Sequence, residues 1–487
     1  MSISTARNNF KPLIAILVIS LLISMSILVI SAKLQYYYLL LLAFGLPVGI
    51  LVFRALIISS SRVNELFSSL HWWHILWILV FFSGLVLRIR DTEDAQQNPL
   101  DIWALYRIAL IGIVALVLVA RLLKRRTDWF QTLFKGSIGL LTGFAIIGII
   151  STLWSVYPEW TLYKSTEYLI DVALIAAIVV AAKSINDFKT YFDLTWLLIG
   201  LLMLSAWIGL IIWPGLYRYD VGMIGLQLGG VIPAMETNKV GELGAILAIV
   251  ALNRFLFLKD KKFYFIIFLV SIVTLIFSQS RSPITGFLVA VPIMLFAAKK
   301  IGPVVLASMM VFSVLLLTGI IDTFVQFFMR GQDPEYFANL SGRTVMWARG
   351  VEVLKESPLV GFGAYAGSRF AVLVKLGIYD GSSILNTWLE ILLGVGIIGA
   401  IFVVTAFFRT WFVIVKSALR SNTGSLTHCL AVEAIGVFAL ISVRSIFTTV
   451  IIWHPPIIFL LVVAYSEYLH RFLRKNRIKN MTYSKSL

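Results

Sequence analysis

The chain has 487 residues, 60% of them hydrophobic and only 13% charged, against about 25% charged in an ordinary soluble protein. That balance excludes a water-soluble globular domain and a disordered tail. The excess of 41 Lys and Arg over 24 Asp and Glu reads, in so apolar a chain, as the positive-inside bias of a membrane protein and not as a nucleic-acid footprint.

Apolar runs of about 18 residues or more recur from end to end, each long enough for a hydrocarbon core of about 30 Å. The first, "PLIAILVISLLISMSILVISA", is too long for a signal-peptide core and no small-residue cleavage site follows it, so it reads as a spanning helix. The pattern predicts an all-α polytopic fold of about fourteen spans, near 12–32, 35–57, 72–88, 103–123, 135–154, 167–183, 193–213, 240–258, 262–279, 283–298, 303–320, 384–409, 429–449 and 452–470. Residues 1–320 then hold eleven spans, 321–383 form one long loop, 384–470 hold three more spans, and 471–487 are a basic tail. The single cysteine, Cys429, permits no internal disulfide.

Charge alternates between successive loops. One side receives Arg7 and Lys11, then "RLLKRRTDWFQTLFK", "RFLFLKDKK", Lys299 with Lys300, and the tail, and so holds most of the 41 basic residues. The other side includes the acidic "RDTEDAQQNPLD". The positive-inside rule predicts cytoplasmic termini and an extracytoplasmic loop at 321–383.

Three outward segments carry arginine. The first, "YRYDVGMIGLQLGGVIPAMETNKVGELG", has Arg218 and Asp220 near its start, and Asn238 and Lys239 as donors. In "SQSRSP", Arg281 is pinned in a very short connection at the membrane boundary. The long loop carries Arg330, and its "SGRTVMWARGVEVLKESPLVGFG" predicts an amphipathic surface helix. Ser341 is the expected N-cap, Val345, Trp347, Val351 and Leu354 the apolar stripe, Pro358 the stop, and Gly361 and Gly363 the turn. Arg343 falls in the first turn, where free N–H groups and the dipole already favour an anion. Such arginines either anchor in lipid headgroups or line an electropositive pocket for phosphate or carboxylate oxygens.

The combination "LWSVYPEWTLYKS", "GGVIP…TNKVGELGA", "SQSRS", "MRGQDPEYFANLSGRTVMW…SPLVGFGAY" and "NTWLEILLGVGIIG" resembles the bacterial O-antigen ligase and O-antigen polymerase superfamily, over about half the chain. The resemblance implies a GT-C-like membrane glycosyltransferase of the bacterial inner membrane, using no metal and no cofactor, with an extracytoplasmic active site. It implies a donor glycan on undecaprenyl diphosphate, an acceptor glycan lipid and, for polymerases, a chain-length regulator as partner. Arg281 and Arg343 match the family's diphosphate-binding positions, and Arg218 and Arg330 are the further expected contacts.

One position departs from the pattern. The family's proposed base is a histidine before Asn, and here "SSILNTWLEILLG" places Leu385 there, with Asn386 and Glu390 matching. Leucine accepts no proton. Either no base is needed in an oxocarbenium-like reaction, or Glu390, Asp380 or His454 takes the role, or activity is lost. His454 is the histidine that this topology places outside, and it also reads as a loop-capping residue beside two prolines. The departure favours a surface-polysaccharide polymerase, with O-antigen ligase second. A lipid-linked glycan transporter stands third; it would carry charge along a central path, for which Arg107, Asp171, Glu433 and Arg444 are the candidates.

Overall fold

The computed structural model describes residues 65–87, 102–124, 128–213, 218–219, 225–300, 302, 326–329, 332–378 and 383–484. These residues form a helical bundle: α1 Trp72–Ser83, α2 Ile102–Lys124, α3 Gly136–Ile150, α4 Pro158–Ala181, α5 Ile185–Ile212, α6 Thr237–Phe257, α7 Lys261–Phe277, α8 Arg281–Ala297, α9 Arg343–Leu354, α10 Thr387–Arg420, α11 Leu426–Phe447 and α12 Ile457–Ser484. A two-residue antiparallel pair, β1 Arg218–Tyr219 with β2 Leu226–Gln227, is the one named sheet among them.

Six of these helices are long and apolar enough to cross a membrane: α2, α3 with the turn after it, α5, α6, α10 and α11. The chain is a multi-pass membrane protein. The spans expected at 12–32, 35–57 and 303–320 lie outside the described residues; each of the others coincides with a helix. The expected start of α4 at 167 is corrected to Pro158, a proline at N1 where its missing N–H costs nothing. The missed first turns carry Glu159 and Lys164, and Lys164, Glu167 and Asp171 lie on the same helix. All three are buried in the bundle.

Lipid tails are as apolar as leucine, so helices here are held by close packing and polar bonds, with little hydrophobic drive. α6 packs on α7, α8 on α11, and α3 and α11 on α10. Gly244 lies against the α7 backbone at Ser271 and Leu275, and Gly286 against Leu440 of α11.

A buried ionic clamp ties α5, α6 and α11 together near the C-terminal end of α6. Arg254 donates to both oxygens of Glu433, at 2.9 and 3.0 Å, and its Nη1 to Asp193. Trp196 and Asn253 donate to the same carboxylate at 2.6 and 3.2 Å. Glu433 is 0% exposed, so removing it leaves a buried guanidinium with Asp193 as its one remaining carboxylate. Glu433→Ala is expected to destabilise the protein by about 3–5 kcal/mol, read as a lowered unfolding midpoint in detergent. Glu433→Gln, which keeps the side-chain shape and one acceptor oxygen, is expected to cost less.

The opposite end holds the features developed below. The N-termini of α6 and α8 meet there, since Ser280 donates to Asn238. The start of α10 joins the end of α11, where Thr387 donates to the Thr448 carbonyl at 2.8 Å.

Candidate active site

A run of bonds links four helix ends through their charged residues. At the end of α11, Arg444 donates to the Asn238 carbonyl at 3.3 Å and to Glu242 at 3.1 Å, both in the first turns of α6. Lys239 also reaches Glu242, at 3.3 Å. The Asn238 side chain accepts from Ser280, the residue capping α8, and the next residue is Arg281. Arg281 donates from Nε to the Phe328 carbonyl at 2.7 Å, from Nη1 to Ser341 at 3.3 Å, and from Nη2 to Met329 and Gln332. Its guanidinium also lies 4.5 Å from the ring centre of Phe337. Arg281 therefore organises the segment leading into α9, whose first residue is Arg343.

That segment is strained. Leu340, Ser341 and Gly342 have φ of 50°, 60° and 81°. A left-handed non-glycine residue costs about 1–2 kcal/mol. Such conformations persist only where the surroundings hold them, here through the Arg281–Ser341 bond. The expected Ser341 cap is thereby corrected: Gly342 is the N-cap, with no side-chain cap bond, and the Ser341 hydroxyl faces Arg281 instead. The apolar stripe is corrected in part: Trp347 and Leu354 pack inward, and Val345 and Val351 do not. Val345 and Val351 are 62% and 48% exposed, while Met346, Trp347, Gly350, Val353 and Leu354 face Leu389, Leu393 and the segment 371–373. Trp347 donates to the Ile384 carbonyl at 2.9 Å. α9 also ends at Leu354, before Pro358.

The stretch from Pro358 to Gly363 does more than turn the chain. α10 is broken at Gly396, with φ 61° and ψ −166°, a region open essentially to glycine alone. The break frees two carbonyls and two N–H groups, which lipid does not satisfy. The loop takes up all four: Phe362 and Gly363 donate to the carbonyls of Leu393 and Gly394 at 2.8 and 2.9 Å, while Ile397 and Ile398 donate to those of Pro358 and Leu359 at 2.9 and 3.1 Å. Gly361 permits this approach, since a Cβ there would stand 2.7 Å from the Leu393 and Gly394 carbonyls. The turn after α3 and the first turn of α4 clamp the loop from behind. Ser151 accepts from the Ala364 N–H at 3.0 Å, and Thr161 donates to the Ala364 carbonyl at 2.9 Å.

The remaining expected site residues fall as follows. Asn386 is the N-cap of α10, accepting from the N–H groups of Trp388 and Leu389 at 3.0 Å each. Leu385 just before it has φ 56°, a conformation that histidine tolerates better than leucine. Glu390 is 1% exposed; it accepts from Ser368 and, at 3.4 Å, from the Ile384 N–H, joining two loop segments. His454 is 9% exposed, with Nδ1 2.7 Å from Asp171 and Nε2 2.8 Å from Ser83. Its bonds reach into the bundle, which corrects the loop-capping reading. Arg218 sits in β1 opposite Gln227. Arg330 and Asp380 lie outside the described residues.

Three of these features were missed from sequence. The α10 break carried one signal, two glycine-rich apolar stretches, "PLVGFG" and "GVGIIG", since interrupted apolar segments mark broken helices. The Asp171–His454–Ser83 run and the Arg444–Glu242 pair join residues far apart in the chain and left no local signal.

Residues 266–404 match the family model described as O-antigen ligase. No curated protein matches the chain. The matched stretch runs from α7 past the break in α10 and includes Arg281, Arg343, Gly361, Asn386, Glu390 and Gly396. The chain thus resembles the O-antigen ligase and polymerase superfamily, and the match supports a polysaccharide-related ligase or polymerase in the membrane.

Proposed function

We propose that the chain is a surface-polysaccharide polymerase of the bacterial inner membrane. In this reading it transfers glycan from undecaprenyl diphosphate to a sugar hydroxyl of an acceptor glycolipid on the extracytoplasmic face. The observation that carries the reading is the bonded run from Arg444 through Asn238, Ser280 and Arg281 to Ser341, which brings basic residues and three helix N-termini to one end of the bundle. The excess of basic residues in the other loops supports an outward orientation for that end.

The reaction suits these groups. The acceptor oxygen bonds to the anomeric carbon, the bond from that carbon to the diphosphate oxygen breaks, and the diphosphate leaves with the electron pair. Charge grows on the leaving group, where fixed guanidinium groups stabilise it most. Arg343 takes that role, and Arg281, whose donors are largely spent on the segment from Phe328 to Ser341, adds its charge and fixes the approach to α9. No metal is needed in this scheme. The acceptor proton passes to an oxygen of the departing diphosphate, so the histidine replaced by Leu385 is not required.

Glu390 and His454 are the competing bases, and both already hold protein partners. Removing a general base costs about 10²–10⁴-fold in rate. Glu390→Gln is expected to lose less than tenfold, as an anchor would; a loss of a hundredfold or more with donor binding retained would restore Glu390 as the base.

The second reading is O-antigen ligase, favoured by the matched family's description. A transporter fits less well, because the charges within spans are paired: Glu433 with Arg254, Asp171 with His454 and Arg444 with Glu242. Deleting the gene and analysing the glycans separates all three. Single repeat units at the surface are expected; polymer accumulating on its lipid carrier would identify a ligase, and intermediates held in the cytoplasmic leaflet a transporter.

A further inference from the structure

Among the described residues Arg369 has no hydrogen bond and no carboxylate partner. Its guanidinium meets only aromatic rings, with centroids at 5.0 Å for Trp160 and 5.3 Å for Phe370. It is half-buried, and burial without a counter-charge pushes it below the ordinary arginine value. Ring faces offset only part of the cost of drying a cation.

The surroundings fix this arginine firmly. Gly367 backs onto α10, where a Cβ would stand 2.2 Å from the Leu393 carbonyl, and Ser368 is bonded to Glu390. Phe370 stacks on Tyr157 with centroids 4.6 Å apart and planes at 16°. Trp160 donates to the Tyr365 carbonyl at 3.3 Å. Lys164 lies over the same indole at 5.2 Å, but Glu167 neutralises it at 2.7 Å. Arg369 is the uncompensated charge of this cluster.

Arg369 belongs to the segment 367–373, which packs on α10, and lies against Trp160 of α4, while Arg281 spends its donors on the segment from Phe328 to Ser341. A polymerase joins two glycolipids that both hang from diphosphate in one leaflet, and so needs two headgroup sites. A guanidinium presents a planar fork matched to diphosphate oxygens, and Trp and Tyr favour headgroup depth.

We infer that Arg369, on the platform of Trp160 and Phe370, binds the diphosphate of the acceptor glycolipid. The protein then holds two polyprenyl diphosphates at separate sites, the donor's at Arg281 and Arg343 and the acceptor's at Arg369. This rests on the polymerase reading given above.

The test uses the full chain in nanodiscs of zwitterionic phosphatidylcholine, with glycan-free undecaprenyl diphosphate as probe and native mass spectrometry as readout. Wild type is expected to bind two probe molecules. Arg369→Ala and Arg343→Ala are each expected to bind one, and Arg369→Lys to regain the second with affinity about tenfold lower. Arg369→Gln, which keeps the aliphatic stem over Trp160, is expected to repeat the loss should the alanine variant unfold. A single molecule on wild type, or two on both Arg369→Ala and Arg369→Gln, overturns the inference. So does displacement of the second molecule by an equal concentration of phosphatidylglycerol, which would make Arg369 a general headgroup anchor. Two bound molecules on a protein that builds no polymer would remove the polymerase reading while leaving the second diphosphate site standing.

Discussion

Gly396→Ala is expected to destroy both the fold around α10 and the transfer reaction. A Cβ at this position would lie 2.2 Å from the carbonyl of Leu359, against backbone that is itself bonded into the break. The alanine must also hold φ 61° with ψ −166°, which only glycine does readily. Either the loop withdraws or the helix straightens. In both cases polar backbone groups lose partners in a place without water, at about 1–3 kcal/mol each. With four such groups at stake, the loss is expected to reach about 4 kcal/mol or more, seen as protein that fails to accumulate in the membrane or melts far below wild type. Gly361→Ala is expected to fail for the same reason from the loop side. Gly200→Ala is the contrast, because a Cβ there meets nothing within 4 Å and the residue lies in α5. That variant is expected to be neutral or more stable by about 0.4–1 kcal/mol. Equal stability of Gly396→Ala and Gly200→Ala would mean that the loop and the break are not one unit.

Arg343→Ala is expected to lower transfer by about 10²-fold or more, the cost of removing one fixed donor to a developing charge. Arg343→Lys is expected to recover part of that, since it keeps the charge but not the planar fork. Arg281→Ala is expected to cost at least as much, for two reasons that separate experimentally. Its side chain holds the segment from Phe328 to Ser341 in place, so its loss also exposes that segment to proteolysis. Arg343→Ala keeps the bonds from Arg281 to Phe328 and Ser341, so the segment is expected to stay protected. Normal polymer from both alanine variants would show that these arginines serve only the lipid interface.

What the sequence made legible follows the physics of each element. Spans such as α5, α6 and α11 were readable because a long apolar run has one outcome in lipid. The start of α4 was not readable, because Glu159 and Lys164 in its first turns resemble a wet loop until the Lys164–Glu167 pair is known. The break in α10 was hidden for the opposite reason. Its residues, "LLGVGIIG", are uniformly apolar, so hydropathy reads straight through them, and only the facing loop supplies the bonds that make the break stable. The cap of α9 was displaced by one residue because Arg281, sixty positions from Ser341, claims the serine hydroxyl. Arginine positions at the site were visible as arginines out of place for topology. Which of them spend their donors on protein, as Arg281 does, and which keep them, as Arg369 does, was not visible.

The most direct measurement uses the purified chain alone in proteoliposomes with glycan repeat units linked to undecaprenyl diphosphate. Product length and freed undecaprenyl diphosphate are followed together by mass spectrometry, with and without chelator. The expected result is a ladder of glycans growing by whole repeat units, with one undecaprenyl diphosphate freed per unit added and no effect of chelator. Freed undecaprenyl diphosphate without growth of any lipid-linked chain, or growth that stops on adding chelator, would contradict it.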